Sequence, residues 1–115
     1  MIDNDYFKRE EFACKCGCGF DAVDVELLDI LTKIRTYFNA PVSITSGCRC
    51  ESHNRAIGGS PTSQHKLGKA ADIVVRGINP SEVYEYIDII LEGRGGAGLY
   101  EGWCHVDVRD NKARW

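Results

Sequence analysis

Ten residues in the second half of the chain place the hardest constraint on its fold. They read Ser63-Gln64-His65-Lys66-Leu67-Gly68-Lys69-Ala70-Ala71-Asp72, and a second cluster, Cys104-His105-Val106-Asp107, lies near the C-terminus. His65, Asp72 and His105 are two imidazoles and a carboxylate. Three protein ligands with a fourth position left for water is the usual arrangement of a catalytic zinc, whereas a structural zinc is closed by four. Such donors must converge to about 2.0–2.2 Å from the metal. A straight helix from His65 to Asp72 would leave their side chains roughly 10 Å apart along its axis. The chain must therefore turn between them. Gly68 permits the turn, Ala70 and Ala71 let backbones pack closely, and the fold must also carry His105 to the same point.

The flanking sequence supplies elements that can do this. Residues 4–13 are expected to form a short helix anchored by Phe7 and Phe12. Over residues 23–38, Val23, Leu27, Leu31, Ile34 and Phe38 recur near helical period, with Ile30 and Tyr37 widening the stripe and Asp21 and Asp24 at the N-terminal end. Pro41 pushes the residue before it out of the helical region. Val42-Ser43-Ile44-Thr45 then alternates as a strand that delivers Ser46-Gly47-Cys48-Arg49 to its end. A helical turn is expected over residues 51–57, and a loop over residues 58–62. Residues 71–76 read as a strand with Ala71, Ile73 and Val75 on one face and Asp72, Val74 and Arg76 on the other. Asn79-Pro80-Ser81-Glu82 is a capped helix start, followed by the stripe Val83, Ile87, Ile90 and Leu91. Two short strands follow, over residues 97–100 and 103–109. In the second, His105, Asp107 and Arg109 share one face, and Cys104, Val106 and Val108 share the other. If the strands bearing Asp72 and His105 lie close in one sheet, their polar faces present a carboxylate and an imidazole to one point. Cys104 is then a core thiol rather than a ligand.

At 115 residues and 43% hydrophobic content, the chain has material for one core and one domain. Its net charge of -3 argues against a nucleic-acid binder that works by phosphate attraction. Locally, Arg49, Arg55, Lys66 and Lys69 gather around the candidate site, with Glu51 the one acid between Arg49 and Lys69, which suits an anionic small substrate. The alternative is a solvated basic loop. Met1-Ile2-Asp3-Asn4-Asp5 lacks the basic start and apolar run of an export signal, and no stretch approaches a membrane span, so synthesis in the cytoplasm is expected. Reduced thiols are then the default for the six cysteines. Cys14, Cys16 and Cys18 alternate with Lys15 and Gly17, and Cys48 and Cys50 repeat the spacing around Arg49. Buried or incidental thiols, a second and structural metal site, and disulfides all compete here. The spacing is not the Cys-x2-Cys of a zinc ribbon, so a single zinc is the expectation. A nucleic-acid zinc module built on these cysteines is disfavoured by the net acidity.

The pattern Ser63-x-His65-x-x-Gly68-x-Ala70-x-Asp72 followed by His105-x-Asp107 resembles the zinc D-Ala-D-Ala carboxypeptidases and related peptidoglycan peptidases of the M15 group, whose fold is shared with the hedgehog signalling domain. Ile44-Thr45-Ser46-Gly47-Cys48-Arg49 is similar to the family's Ser-Gly-x-Arg segment. Asn54 with Gly58-Gly59 is similar to its Asn-x-x-x-Gly-Gly loop, and Gly96-Ala97-Gly98-Leu99-Tyr100 to its Gly-x-Gly-x-Tyr strand. The resemblance covers roughly residues 7–115. It implies an α+β fold, a small and mostly antiparallel sheet with helices packed on one side. It also implies hydrolysis of peptide bonds in cell-wall stem peptides, with His65, Asp72 and His105 holding zinc, which would polarise the scissile carbonyl and lower the pKa of bound water towards 7.

Arg49 would stabilise an oxyanion or grip a substrate carboxylate. Ser63 would offer a hydroxyl to the substrate or make a loop hydrogen bond, and His53 would touch substrate or, with Asn54, pin its loop. Many relatives place Glu or Asp three residues before the last histidine. That position here is Gly102, so Glu101 is the first candidate for general base and Asp107 the second, orientation of a ligand being the other role open to Asp107. A catalytically silent, zinc-stabilised binding module is the competing function. The expected partner is the peptidoglycan stem peptide, met as a monomer and reached after release of the phage-lysis type.

Overall fold

Asp24 starts the first helix by accepting the Glu26 backbone N–H at 2.8 Å, as a short acid ahead of an apolar stripe should. The computed structural model describes residues 6–115. Helix α1 (Val25–Phe38) buries Leu27, Ile30, Leu31 and Ile34, each contributing about 1.5–3 kcal/mol by leaving water. Asn39 ends it in the left-handed conformation, with φ 47. Tyr37 stays exposed and stacks on Tyr86 at 3.9 Å between ring centroids. Strand β1 (Val42–Ser46) follows, then α2 (Glu51–Ala56), a 3-10 turn (Gln64–Leu67), β2 (Ala70–Val75) and α3 (Pro80–Leu91). Asn79 caps α3, accepting from Ser81 N–H at 3.0 Å, and Pro80 occupies the first turn. The chain closes with β3 (Gly96–Leu99), β4 (Cys104–Asp107) and β5 (Ala113–Arg114).

The strands form one sheet in the order β1-β2-β4-β3-β5. The first three pairings are antiparallel, and β5 joins β3 in parallel. The expected α+β architecture, mostly antiparallel, is therefore present. Ala71, Ile73 and Val75 of β2 share a core with Cys104 and Val106 of β4 and with the buried stripes of α1 and α3. These two helices cover one face of the sheet, and the opposite face is left for Asp72, His105 and Asp107.

The N-terminal segment differs from expectation. Of residues 4–13, positions 4 and 5 lie outside the described residues, and the rest contains a single 3-10 turn, Arg9–Phe12. Phe7 and Phe12 are both buried and act as anchors, so packing rather than helix propensity holds the segment down. No helix among the described residues is long and apolar enough to cross a membrane.

Candidate metal centre

Strand register brings the two halves of the centre together. Asp72 of β2 lies directly opposite His105 of β4, and directly opposed residues on one face of a sheet approach closely enough for side chains to interact. On the other side of β4, Gly98 faces His105 and Gly96 faces Asp107. A Cβ on Gly96 would lie 2.2 Å from the Asp107 carboxylate, so the small residue there makes room for a buried acid. His65 arrives from the 3-10 turn. Ser63 accepts its backbone N–H at 3.2 Å, and Gly68 ends the turn at φ 69, sending the chain into β2. The turn demanded by the His65 to Asp72 spacing is thus made at Gly68.

The protonation pattern of the two rings follows from their partners. His65 Nδ1 lies 2.6 Å from the Gly47 carbonyl, which only accepts, so Nδ1 carries the proton and Nε2 presents its lone pair to Asp72 Oδ1 at 3.4 Å. His105 Nε2 lies 2.7 Å from Asp107 Oδ2, and its Nδ1 lies 3.1 Å from the same Asp72 oxygen. Asp107 is itself buried and receives the Arg109 backbone N–H at 3.1 Å, Nε at 2.9 Å and Nη2 at 2.7 Å. Burial alone would raise the Asp107 carboxyl, but the bonds from His105 and Arg109 hold it well below the usual range. It therefore stays an anion that orients His105. Asp72 is likewise pushed up by burial, and it is pulled further down by His105 and His65 when a proton rather than a metal occupies the shared point and the rings donate to it. For His105, burial works against the charged ring while Asp107 and Asp72 outweigh it and raise its value.

Two imidazole nitrogens and a carboxylate oxygen, all lone-pair donors, therefore face one point, where a cation or a proton must relieve their repulsion. Their donor atoms all lie within 4.8 Å of one another. Ligands at 2.0–2.1 Å in a tetrahedron sit about 3.3 Å apart, and the observed separations from Asp72 are 3.1 and 3.4 Å. The residues fit a zinc ion, which His65 would hold through Nε2, His105 through Nδ1 and Asp72 through a carboxylate oxygen.

The centre opens into a cavity of about 360 Å³ lined by Arg49, Ser63, Gln64, Tyr100, Trp103, Arg109 and Trp115 beside the three donors. Arg49 is half-buried: Nε donates to Ser46 Oγ at 3.2 Å, Nη1 to Asn54 Oδ1 at 3.4 Å, and Nη2 lies 3.5 Å from Asp72. Asn54, buried, also donates to the Ser60 carbonyl at 2.8 Å, pinning the loop that follows α2. Of the four basic residues that flank the centre in sequence, Arg49 lines the cavity. Arg55 and Lys66 are both paired with Glu51, and Lys69 lines a separate groove with Arg109 and Lys112. The second cation of the cavity is instead Arg109, over the Trp115 ring at 5.4 Å.

Glu101 is placed elsewhere. It is exposed and lines a neighbouring, larger groove of about 450 Å³ with Pro80, Val83 and Trp103. Ser63 both caps the 3-10 turn and lines the cavity, whereas His53 is not among the lining residues. Sequence reading missed the aromatic wall. Tyr100 stacks on Trp103 at 4.7 Å and accepts Trp115 Nε1–H at 2.7 Å, while Trp115 lies 4.9 Å from the His105 ring. The remaining signal for it was two tryptophans and a tyrosine near the last ligand.

No curated protein matches the chain. Residues 5–107 match the family described as Peptidase M15, a stretch that includes His65, Asp72 and His105, the three donors of the centre. With most of its length so matched, the chain belongs to the M15 peptidase family.

Proposed function

We propose that the chain is a zinc peptidase that hydrolyses peptide bonds in peptidoglycan stem peptides, as a D,D-carboxypeptidase or an endopeptidase. The observation that carries this reading is the convergence of His65 Nε2, His105 Nδ1 and Asp72 Oδ1, with each imidazole locked in one tautomer by a second partner. Zinc in that position supplies Lewis acidity, polarising a carbonyl and acidifying water. The side chains around it divide the remaining work. Arg49, stretched between Ser46, Asn54 and Asp72, presents a fixed guanidinium to a developing oxyanion or a terminal carboxylate. Arg109 adds positive potential, and Tyr100, Trp103 and Trp115 give an apolar wall against which a stem peptide lies. Asp107 holds His105 in place. Ser63 offers its hydroxyl at the rim.

A metal-stabilised binding module is the second reading, and a specific observation favours it. Asp72 is the one carboxylate among the described residues that line the cavity, and Glu101, the first candidate for general base, borders another groove. Proton transfer by Glu101 requires the turn containing Gly102 to bring it round. Incubating the protein with purified peptidoglycan, with and without a chelator, separates the readings. New amine termini that disappear with chelator are expected, and mass spectrometry of the fragments then identifies the bond. Absence of new termini in both samples overturns the enzyme reading.

A further inference from the structure

The six cysteines sort into two chemical groups. Cys48 and Cys104 are buried, and their thiols donate to carbonyls: Cys48 to Phe12 at 3.1 Å and Phe20 at 2.9 Å, Cys104 to Pro80 at 3.1 Å. These two are satisfied core thiols. The other four converge. Sγ of Cys14 lies 3.5 Å from that of Cys16 and 3.8 Å from that of Cys50, and Cys16 to Cys50 is 3.6 Å. Cys18 completes the group, with all four sulfurs within 4.8 Å of one another.

A disulfide brings two sulfurs to about 2.05 Å, so none of these separations is a bond. Four thiolates around zinc at about 2.3 Å occupy tetrahedron corners about 3.8 Å apart, close to what is observed. The loop geometry serves this convergence: Gly17 and Gly19 both take the left-handed conformation, at φ 81 and 90, which lets residues spaced by two fold back onto one point. Backbone N–H groups also aim at the sulfurs. Cys50 N–H donates to Cys14 Sγ and His53 N–H to Cys50 Sγ, each at 3.4 Å, the kind of outer contact that orients a metal ligand.

We propose that Cys14, Cys16, Cys18 and Cys50 hold a second zinc ion, closed by four protein ligands and structural in role. It staples the N-terminal segment bearing Phe7 and Phe12 to residues 48–50, the stretch that carries Arg49 into the cavity. The Cys-x-Cys spacing disguised the site, because the fourth ligand comes from a distant loop.

Metal analysis of the protein produced under reducing conditions tests this, with the His65→Ala/His105→Ala double variant used to empty the first centre. Two equivalents of zinc per chain are expected in the native protein and one in the histidine double variant. Cobalt substituted into that variant should give the intense near-ultraviolet absorption of thiolate-to-cobalt charge transfer, and Cys16→Ser/Cys18→Ser should lose it together with one zinc equivalent. Because the readout is independent of the histidine centre and of turnover, its result stands apart from the peptidase reading. Should the cysteine variant fail to fold, the cobalt spectrum of the histidine variant decides alone. Cobalt bound there without a thiolate band, no metal in the histidine variant, iron in place of zinc, or an intact mass lighter by two or four hydrogens from disulfides would each overturn the proposal.

Discussion

At the scale of single residues, the centre depends on which nitrogen of each imidazole carries its proton. His65 is set by a backbone carbonyl, Gly47 O, and His105 by the Asp107 carboxylate. The two arrangements respond differently to substitution. Removing the charge at Asp107 leaves Arg109 partly unpaired and lets the new amide present either an oxygen or an NH2 to His105, so Nδ1 is no longer reliably the free nitrogen. Partners of this kind typically contribute 10–100-fold to metal affinity. Asp107→Asn is therefore expected to weaken zinc binding at the histidine centre by about 10–100-fold, read by competition against a chromophoric chelator. Glu101→Gln, altering an exposed residue on another groove, should leave that affinity within error of the native value. Equal losses in both variants would show that Asp107 does not orient the ligand. A metal affinity untouched by Asp107→Asn would show the same.

At the scale of elements, alternation in the sequence already separates Asp72 from Ile73 and His105 from Val106, and the structure keeps both separations. That much was legible because a strand has a period of two and one face must be buried. The register setting Asp72 opposite His105 was not, since it depends on the pairing of strands separated by all of α3. Neither was β5, only two residues long and held by backbone bonds between Trp115 and β3. The convergence of Cys50 with the N-terminal cysteines is likewise a long-range contact that local spacing does not encode. Helix ends were more readable, as Asp24 and Asn79 show, but one end carries strain. Glu92 closes α3 at φ 55, a conformation that costs an L-residue about 1–2 kcal/mol relative to glycine. The residue is exposed and is not among those lining the cavity. Glu92→Gly should thus raise stability by about 1 kcal/mol, less than the full relief because glycine also gains freedom in the unfolded chain. Denaturant melts should show a higher midpoint at unchanged slope, with zinc content unaltered. A lower midpoint would mean that Glu92 makes a compensating interaction.

At the scale of the whole molecule, metal and proton compete for the same buried cluster, and their effects on stability run in opposite directions with pH. In the metal-free chain, His105 is raised because Asp107 and Asp72 outweigh burial. A raised histidine contributes stability that is fully present below its unfolded value, about 6.5, and is lost as pH rises through the folded value. Asp72 and Asp107 are lowered, so their contribution is present above the unfolded aspartate value of about 3.9 and is lost as pH falls further towards the folded values. Zinc binding needs both imidazoles neutral and Asp72 ionised, so its stabilisation grows as pH rises through the histidine range. Free zinc at 100 times the dissociation constant stabilises by about 2.7 kcal/mol, roughly 10 °C in Tm for a chain of this size. Melts with and without zinc, using the Cys16→Ser/Cys18→Ser background to restrict binding to the histidine centre, should show this gap near pH 7.5. It should shrink as pH falls, because His105, whose affinity for a proton is raised by Asp107 and Asp72, gains that proton in the metal-free state. The zinc-free melt should hold up until roughly pH 4 and then fall as the two aspartates accept protons. A gap that stays constant across pH 5–7.5 would place the ion on groups other than His65 and His105.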